Sequence, residues 1–483
     1  MAVDPKDIAT LTPKFLSTLY KHFKNEVPDS NWDLKLHISV IMLKSFLERS
    51  RHKTIERQQK LSKAHMPSPP SIAVKKNFIP ETCRSQAEDI MSGLLSGKEE
   101  KIGWRWKEDI CKQQPIKAEW VEAKNRKKIT TVDRVILYIH GGAYFLGSAA
   151  QHRFLIQKVV KASAARAFSV DYRLAPQSPF PAALVDMLAA YLYLIQPPTD
   201  AGFEPINPQN IVVMGDSAGG GLTIALLMVL RDAGLPQPVG GVCWVDLYHS
   251  LPSIFDNSTT DYIPNGFVHK ASPANPIKDY TDVQQRLDRI QYYAYNSALD
   301  LPYVSPIMAD DLGGLGQLYI TCGNGERLRD EASPRKHSYL PTKVELNIFE
   351  AMPHVFQLFI FHPSSISSIQ RTGAFIRKAI PEKTVAVYNS FSNKNFSPLL
   401  PLLLPPSSLL VSSNINTIDI SFPIDEIDDL EEDISEFFVS KYIDCKGVCK
   451  TKNHILDEVT LHDWLNRLGK LPDFSLHPEF LEL

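Results

Sequence analysis

No run of about 18 consecutive apolar residues occurs in this chain, so no stretch of it has the make-up of a membrane-spanning helix. The most apolar tract, residues 397–411, carries four prolines and cannot form one continuous helix. The N-terminal MAVDPKDIATL lacks a basic segment followed by an apolar one, so no secretory leader is expected. Both absences favour an intracellular, cytoplasmic protein. Cysteine is sparse: six residues in 483, which argues against a disulfide framework of the kind that staples short secreted domains. Cys445 and Cys449 stand four apart, but no second pair or nearby histidine completes a zinc set, and no metal is expected. Excess charge of either sign is also missing. With 52 basic against 54 acidic side chains, nothing in the global field favours nucleic acid.

What is present is apolar side chain in quantity, 44% of the chain, enough for a large core. Three regions differ in texture. Residues 1–100 read as a helical segment broken by MPSPPS at 66–71. Its first helix carries Leu11, Phe15, Leu19 and Phe23, and its second, over 33–48, carries Leu34, Ile38, Ile41 and Phe46. Packing of these faces on the rest of the protein is the plain expectation, with peripheral contact to a lipid surface as the alternative. Residues 101–382 alternate short apolar runs (KAEWVEA, RVILYIH, RAFSVD, NIVVMGD, GGVCWVD, QLYITCG, KVELNIF) with helix-like stretches. That alternation predicts an α/β fold: a mostly parallel twisted sheet with helices on both faces. An insertion over about 247–300 interrupts it and suits a cap. Residues 383–483, low in complexity and then acidic, read as a largely disordered tail whose removal leaves chemistry intact.

The chemistry concentrates in a few residues. Gly215-Asp216-Ser217-Ala218-Gly219 stands between an apolar strand and an apolar helix, the setting of a nucleophile on a sharp strand-to-helix turn. His140-Gly141-Gly142, after another strand, offers backbone N–H groups that can aim at an oxyanion. The amides of Gly141, Gly142 and Ala218 are the expected donors. His140 is expected to brace this loop. A serine hydroxyl needs a base and a group that orients the base. In chain order after Ser217, His354 follows a late strand and fits the base. His249, His269, His337 and His362 lack that placement. Glu326, soonest after QLYITCG, is the expected acid, with Asp330 as the alternative.

The ordered series HGGAYFLGS, DYRLAPQSPFPAAL, GDSAGGGL, ERLRDEA and MPHVF, over about 130–375, resembles the hormone-sensitive-lipase-like α/β-hydrolases of the alpha/beta-hydrolase-3 type. WVDLYHSLPS and the stretch from PYVSPIM to GNGERLRDEA look most like fungal members. The resemblance implies a helical cap over the sheet, with Tyr172 supporting the oxyanion loop. It also implies hydrolysis of short- to medium-chain acyl esters of apolar alcohols, acylglycerols and acetylated sterols among them, without a cofactor. An amidase or arylformamidase on the same scaffold, and a binding protein with lapsed catalysis, are the rival readings. Glu326 stands where the family usually has Asp, and Gln177 where it usually has glutamate.

Overall fold

The computed structural model describes residues 5–63, 67–103, 106, 115–126, 132–244, 260–263, 276–277, 289, 291–326, 342–382, 438–444 and 449–450. Three helices open the chain: α1 (Pro5–Phe23), α2 (Leu34–Ser50) and α3 (Ile55–Ser62). Then follow β1 (Ile72–Ile79), α4 (Glu81–Leu94), α5 (Glu99–Ile102), β2 (Ile116–Ala123), β3 (Val135–Ile139), α6 (Ala149–Ser163), β4 (Arg166–Asp171) and α7 (Ala182–Ile195). The second half holds β5 (Ile211–Asp216), α8 (Ala218–Asp232), β6 (Gly240–Trp244), β7 (Gln317–Gly323), β8 (Val344–Phe349), α9 (Pro363–Ala379), β9 (Phe438–Ile443) and β10 (Cys449–Lys450).

The strands form one sheet in the order β1-β2-β4-β3-β5-β6-β7-β8-β9-β10. Pairing is parallel from β4 through β9 and antiparallel at the edges, β1–β2–β4 and β9–β10. Period-2 alternation divides the core. Val135, Leu137 and Ile139 of β3 face the cluster that holds α7 and α8, while Ile136 and Tyr138 face the cluster that holds α6 and α9. Each parallel strand is covered twice, which is why its sequence reads as an unbroken apolar run.

The structure departs from expectation at both ends of the chain. The N-terminal segment is not purely helical: β1 lies at the sheet edge and α4 packs on α7. As an edge strand, β1 leaves Lys75 and Lys76 exposed, so its apolar alternation is too broken to read. In α1, Phe15 and Phe23 do not pack inward. They are 39% and 74% exposed, and Leu16 and Tyr20 beside them are exposed as well. That helix meets α2 instead through the His22–His37 contact and the Lys14–Glu48 ion pair. The face α2 buries is Leu36 and Val40, offset from the expected stripe.

The boundary at 382 differs too. β9 runs parallel beside β8, Ile443 is fully buried, and Glu350 N–H donates to Ile443 O at 2.8 Å. Part of the expected tail is therefore a strand of the central sheet, and most of the remainder lies outside the described residues. So does most of the 247–300 insertion. Among the described residues no helix is long and apolar enough to cross a membrane.

Candidate active site

Ser217 occupies the turn between β5 and α8 with φ 51° and ψ −127°, a backbone conformation that side-chain-bearing residues rarely adopt. Its neighbours make the turn possible. A Cβ on Gly219 would come within 2.0 Å of Ile139 O, and one on Gly215 within 2.1 Å of the Gly219 carbonyl. Only hydrogen fits at either place, which is the physical content of the G-x-S-x-G spacing. Ser217 N–H donates to Trp244 O at 2.9 Å, and α8 starts at the next residue. The positive end of that helix therefore lies where negative charge on the hydroxyl oxygen would develop.

The loops after β7 and β8 bring two further side chains to this turn. His354 Nε2 is 2.8 Å from Ser217 Oγ, and His354 Nδ1 is 3.2 Å from Glu326 Oε2. A carboxylate facing Nδ1 requires the proton there, so Nε2 presents its lone pair to the serine hydroxyl. His354 and Glu326 are both buried. Burial pushes the Glu326 carboxyl up to about 7 against the opposing pull of His354. Glu326 Oε1 has no hydrogen-bond partner among the described residues. Asp330, the alternative acid, lies outside them, as do His249, His269 and His337. His362 caps α9, its Nδ1 accepting from Ser364 N–H at 3.3 Å.

The loop at 140–147 arches over the same turn through three consecutive residues of positive φ, Gly142 (123°), Ala143 (51°) and Tyr144 (63°), and ends on a fourth, Gly147 (94°). A Cβ on Gly141 would stand 3.1 Å from Ser217 Cβ, so glycine lets the loop press against the turn. One expected donor is corrected. Gly141 N–H donates to Asp216 Oδ1 at 3.2 Å and is not free to face the nucleophile. The amides of Gly142 and Ala218 make no hydrogen bond among the described residues. His140 and Tyr172 stand behind the loop. Tyr172 O–H donates to His140 O at 2.9 Å, and the two rings stack with centroids 4.3 Å apart. Burial lowers the His140 pKa to about 3, so its ring is neutral and packs as an aromatic.

Comparison with known proteins identifies the family. A family model described as the alpha/beta hydrolase fold matches residues 136–358. An acetyl-hydrolase of Streptomyces hygroscopicus is 33% identical over 273 residues, covering 55% of this chain and 81% of the relative. The chain belongs to the α/β-hydrolases of the hormone-sensitive-lipase type. An esterase of Acinetobacter venetianus is 29% identical over 252 residues, 51% of this chain and 75% of the relative. A crystal structure of an esterase from the bacterial hormone-sensitive lipase family aligns with a TM-score of 0.50 at 27% identity, covering 71% of this chain and 98% of that one.

Several groups around this hydrolase site carry no sequence signature. Asp261 Oδ1, between β6 and β7, lies 3.4 Å from the His354 backbone N–H and adds to the rise in the Glu326 pKa. Trp32, between α1 and α2, donates its indole N–H to Ala351 O at 2.7 Å and steadies the loop that carries His354. Gln59 of α3 donates to Phe145 O at 3.1 Å, Ala175 O at 3.0 Å and Gln177 Oε1 at 3.0 Å. Gln177, where the family's glutamate was expected, thus exchanges amide hydrogen bonds with an N-terminal helix. Asp261, Trp32 and Gln59 lie within none of the motifs, and the hydrogen-bond partners named here are 86 or more positions away. Only a tertiary structure joins them.

Proposed function

We propose that this protein hydrolyses carboxylic esters at Ser217, with His354 as general base and Glu326 as the group that orients it. The observation that carries this reading is the continuous contact Glu326–His354–Ser217 at 3.2 and 2.8 Å on a strained turn at a helix N-terminus. Ser217 Oγ attacks the ester carbonyl carbon while its proton passes to His354 Nε2. The N–H groups of Gly142 and Ala218 take up the oxyanion; losing one such donor costs roughly 3 kcal/mol of transition-state stabilisation. The bond to the alcohol then breaks, and His354 returns the proton to the leaving oxygen. Water, deprotonated by the same His354, releases the acid from the acyl-enzyme.

Short- to medium-chain acyl groups on apolar alcohols are the proposed substrates. The name of the Streptomyces relative, an acetyl-hydrolase, supports a small acyl group. Buried aromatic rings support an apolar one: Tyr293 stacks on Tyr144 of the oxyanion loop at 3.8 Å, and Tyr262 lies 6.3 Å from the His354 ring. The cap in this reading combines α1–α3 with the 247–300 insertion, supported by the Gln59 and Trp32 contacts. Hydrolysis of p-nitrophenyl esters from acetyl to palmitoyl tests it, with Ser217→Ala as the blank. Activity should peak at short or medium chains and vanish in the variant. Folded protein that is inactive on every ester but cleaves aryl amides would replace ester by amide.

A lipid surface is the proposed setting of the reaction. Phe15, Leu16, Tyr20 and Phe23 lie within one exposed face of α1, with Lys14, Lys21 and Lys24 beside them, an arrangement suited to interfacial contact. Flotation of the full chain with phosphatidylserine vesicles should weaken in Phe23→Glu. Equal recovery of both proteins would remove this reading.

A further inference from the structure

Asp216, the last residue of β5, does not take part in the contact chain above, yet it is buried beneath the oxyanion loop with every side-chain oxygen engaged. Oδ1 accepts from Tyr138 O–H at 2.6 Å and from Gly141 N–H at 3.2 Å. Oδ2 lies 3.4 Å from His152 Nε2 on α6. The other nitrogen of that ring, Nδ1, is 3.0 Å from Ser148 O. A carbonyl and a carboxylate only accept, so this setting favours a proton on both nitrogens of His152 and the imidazolium form. Burial opposes that charge, but the adjacent Asp216 outweighs it and raises the His152 pKa. Burial likewise opposes the Asp216 carboxylate, and His152 with Tyr138 holds its pKa below the ordinary range. The neutral His140 ring stacks against His152 with centroids 5.5 Å apart.

The pair sits where the oxyanion loop needs an anchor. Gly142, Ala143 and Tyr144 follow Gly141 with positive φ, a run that persists only when its surroundings over-determine it. Gly141 is the last residue before that run, and its amide is held by Asp216. We propose that Asp216 and His152 are positioning residues for the oxyanion hole. Their buried ion pair pins Gly141 to the turn and so aims Gly142 N–H at the carbonyl oxygen of an ester on Ser217. This rests on the reading of Ser217 as nucleophile, which wild-type ester hydrolysis and its loss in Ser217→Ala test separately.

The experiment compares His152→Ala, His152→Gln and Asp216→Asn by steady-state kinetics and by affinity for an alkyl trifluoromethyl ketone. Ser217 Oγ adds to the ketone carbonyl carbon, its proton moves to His354, and the resulting alkoxide occupies the oxyanion hole. In His152→Ala, kcat should fall by about 10- to 100-fold with KM changed by about two-fold or less. Ketone affinity should fall in step with kcat/KM. His152→Gln, whose amide N–H still reaches the carboxylate, should recover most of the loss, and Asp216→Asn should resemble His152→Ala. A loss carried by KM, or unchanged ketone affinity in folded variants, overturns the proposal. If His152→Ala fails to fold, the other two variants decide by the same criteria.

Discussion

Ser217 and the oxyanion loop come from β3, β5 and the turns that follow them, neighbouring strands whose glycines and pleat already dictate the geometry. Glu326 and His354 come from loops after β7 and β8 and are held by groups from elsewhere: Asp261 between β6 and β7, Trp32 ahead of α2, and β9 from beyond residue 437. One half of the site is therefore assembled within a compact stretch of chain, and the other by long-range contacts. The first half should respond mainly to changes within residues 138–217, His152 included, whereas the second should respond to distant ones.

The largest expected effect falls on the second half. Glu326→Gln should lower kcat by about 10⁴-fold while the protein stays folded, because the amide cannot hold His354 in the required tautomer. Stability should move the opposite way. The folded pKa of about 7 stands above the ordinary 4.5, so ionising Glu326 costs stability as pH rises from 4.5 through 7. The melting temperature of Glu326→Gln relative to the parent should therefore rise between pH 5 and 8. A variant that keeps its activity would assign the acid elsewhere, Asp330 first.

Next comes the strand contributed by the tail. Ending the chain before Phe438 leaves β8 without its neighbour and removes Tyr442, whose hydroxyl accepts from Asn324 Nδ2 at 3.2 Å, two residues before Glu326. Activity should fall roughly 10-fold, as expected for a displaced catalytic group. Ile443→Ala alone should cost about 3 kcal/mol in urea unfolding. Full activity in the truncated protein would restore the boundary at 382 and separate the tail from the site.

The pH profile should show the same asymmetry. The orienting carboxylate is lost as pH falls through about 7, so kcat/KM should decline on the acid side with an apparent midpoint near neutrality, a property of the Glu326–His354 pair. A flat profile between pH 5 and 8 would contradict that burial. The smallest effect belongs to Trp32→Phe, which removes one hydrogen bond to Ala351 O. About 1 kcal/mol of stability and a few-fold loss in kcat are expected, read by thermal melts and kinetics.

The same contrast governs how much could be read beforehand. The seven internal strands β2–β8 were legible because burial on both faces makes each a short apolar run. β1 and β9 were not, since an edge strand with Lys75 and Lys76, and a strand following an acidic stretch, resemble loops in composition. The meeting of Ser217, His354 and Glu326 could be anticipated because strand-to-loop order constrains where they stand. The engagement of Gly141 by Asp216 was hidden, since a backbone amide's direction depends on a side chain 75 positions away. His152 was equally silent: a lone histidine on an amphipathic helix has no signature until Asp216 lies beside it.

The central claim, an activated Ser217, is most directly tested by reaction with diethyl p-nitrophenyl phosphate. Ser217 Oγ displaces p-nitrophenolate from phosphorus, so one equivalent of phenolate and one diethylphosphoryl group on the peptide containing Ser217 are predicted. His354→Ala should react far more slowly and Ser217→Ala should not react. A phosphoryl group on any other residue, or no reaction with folded protein, would contradict the account.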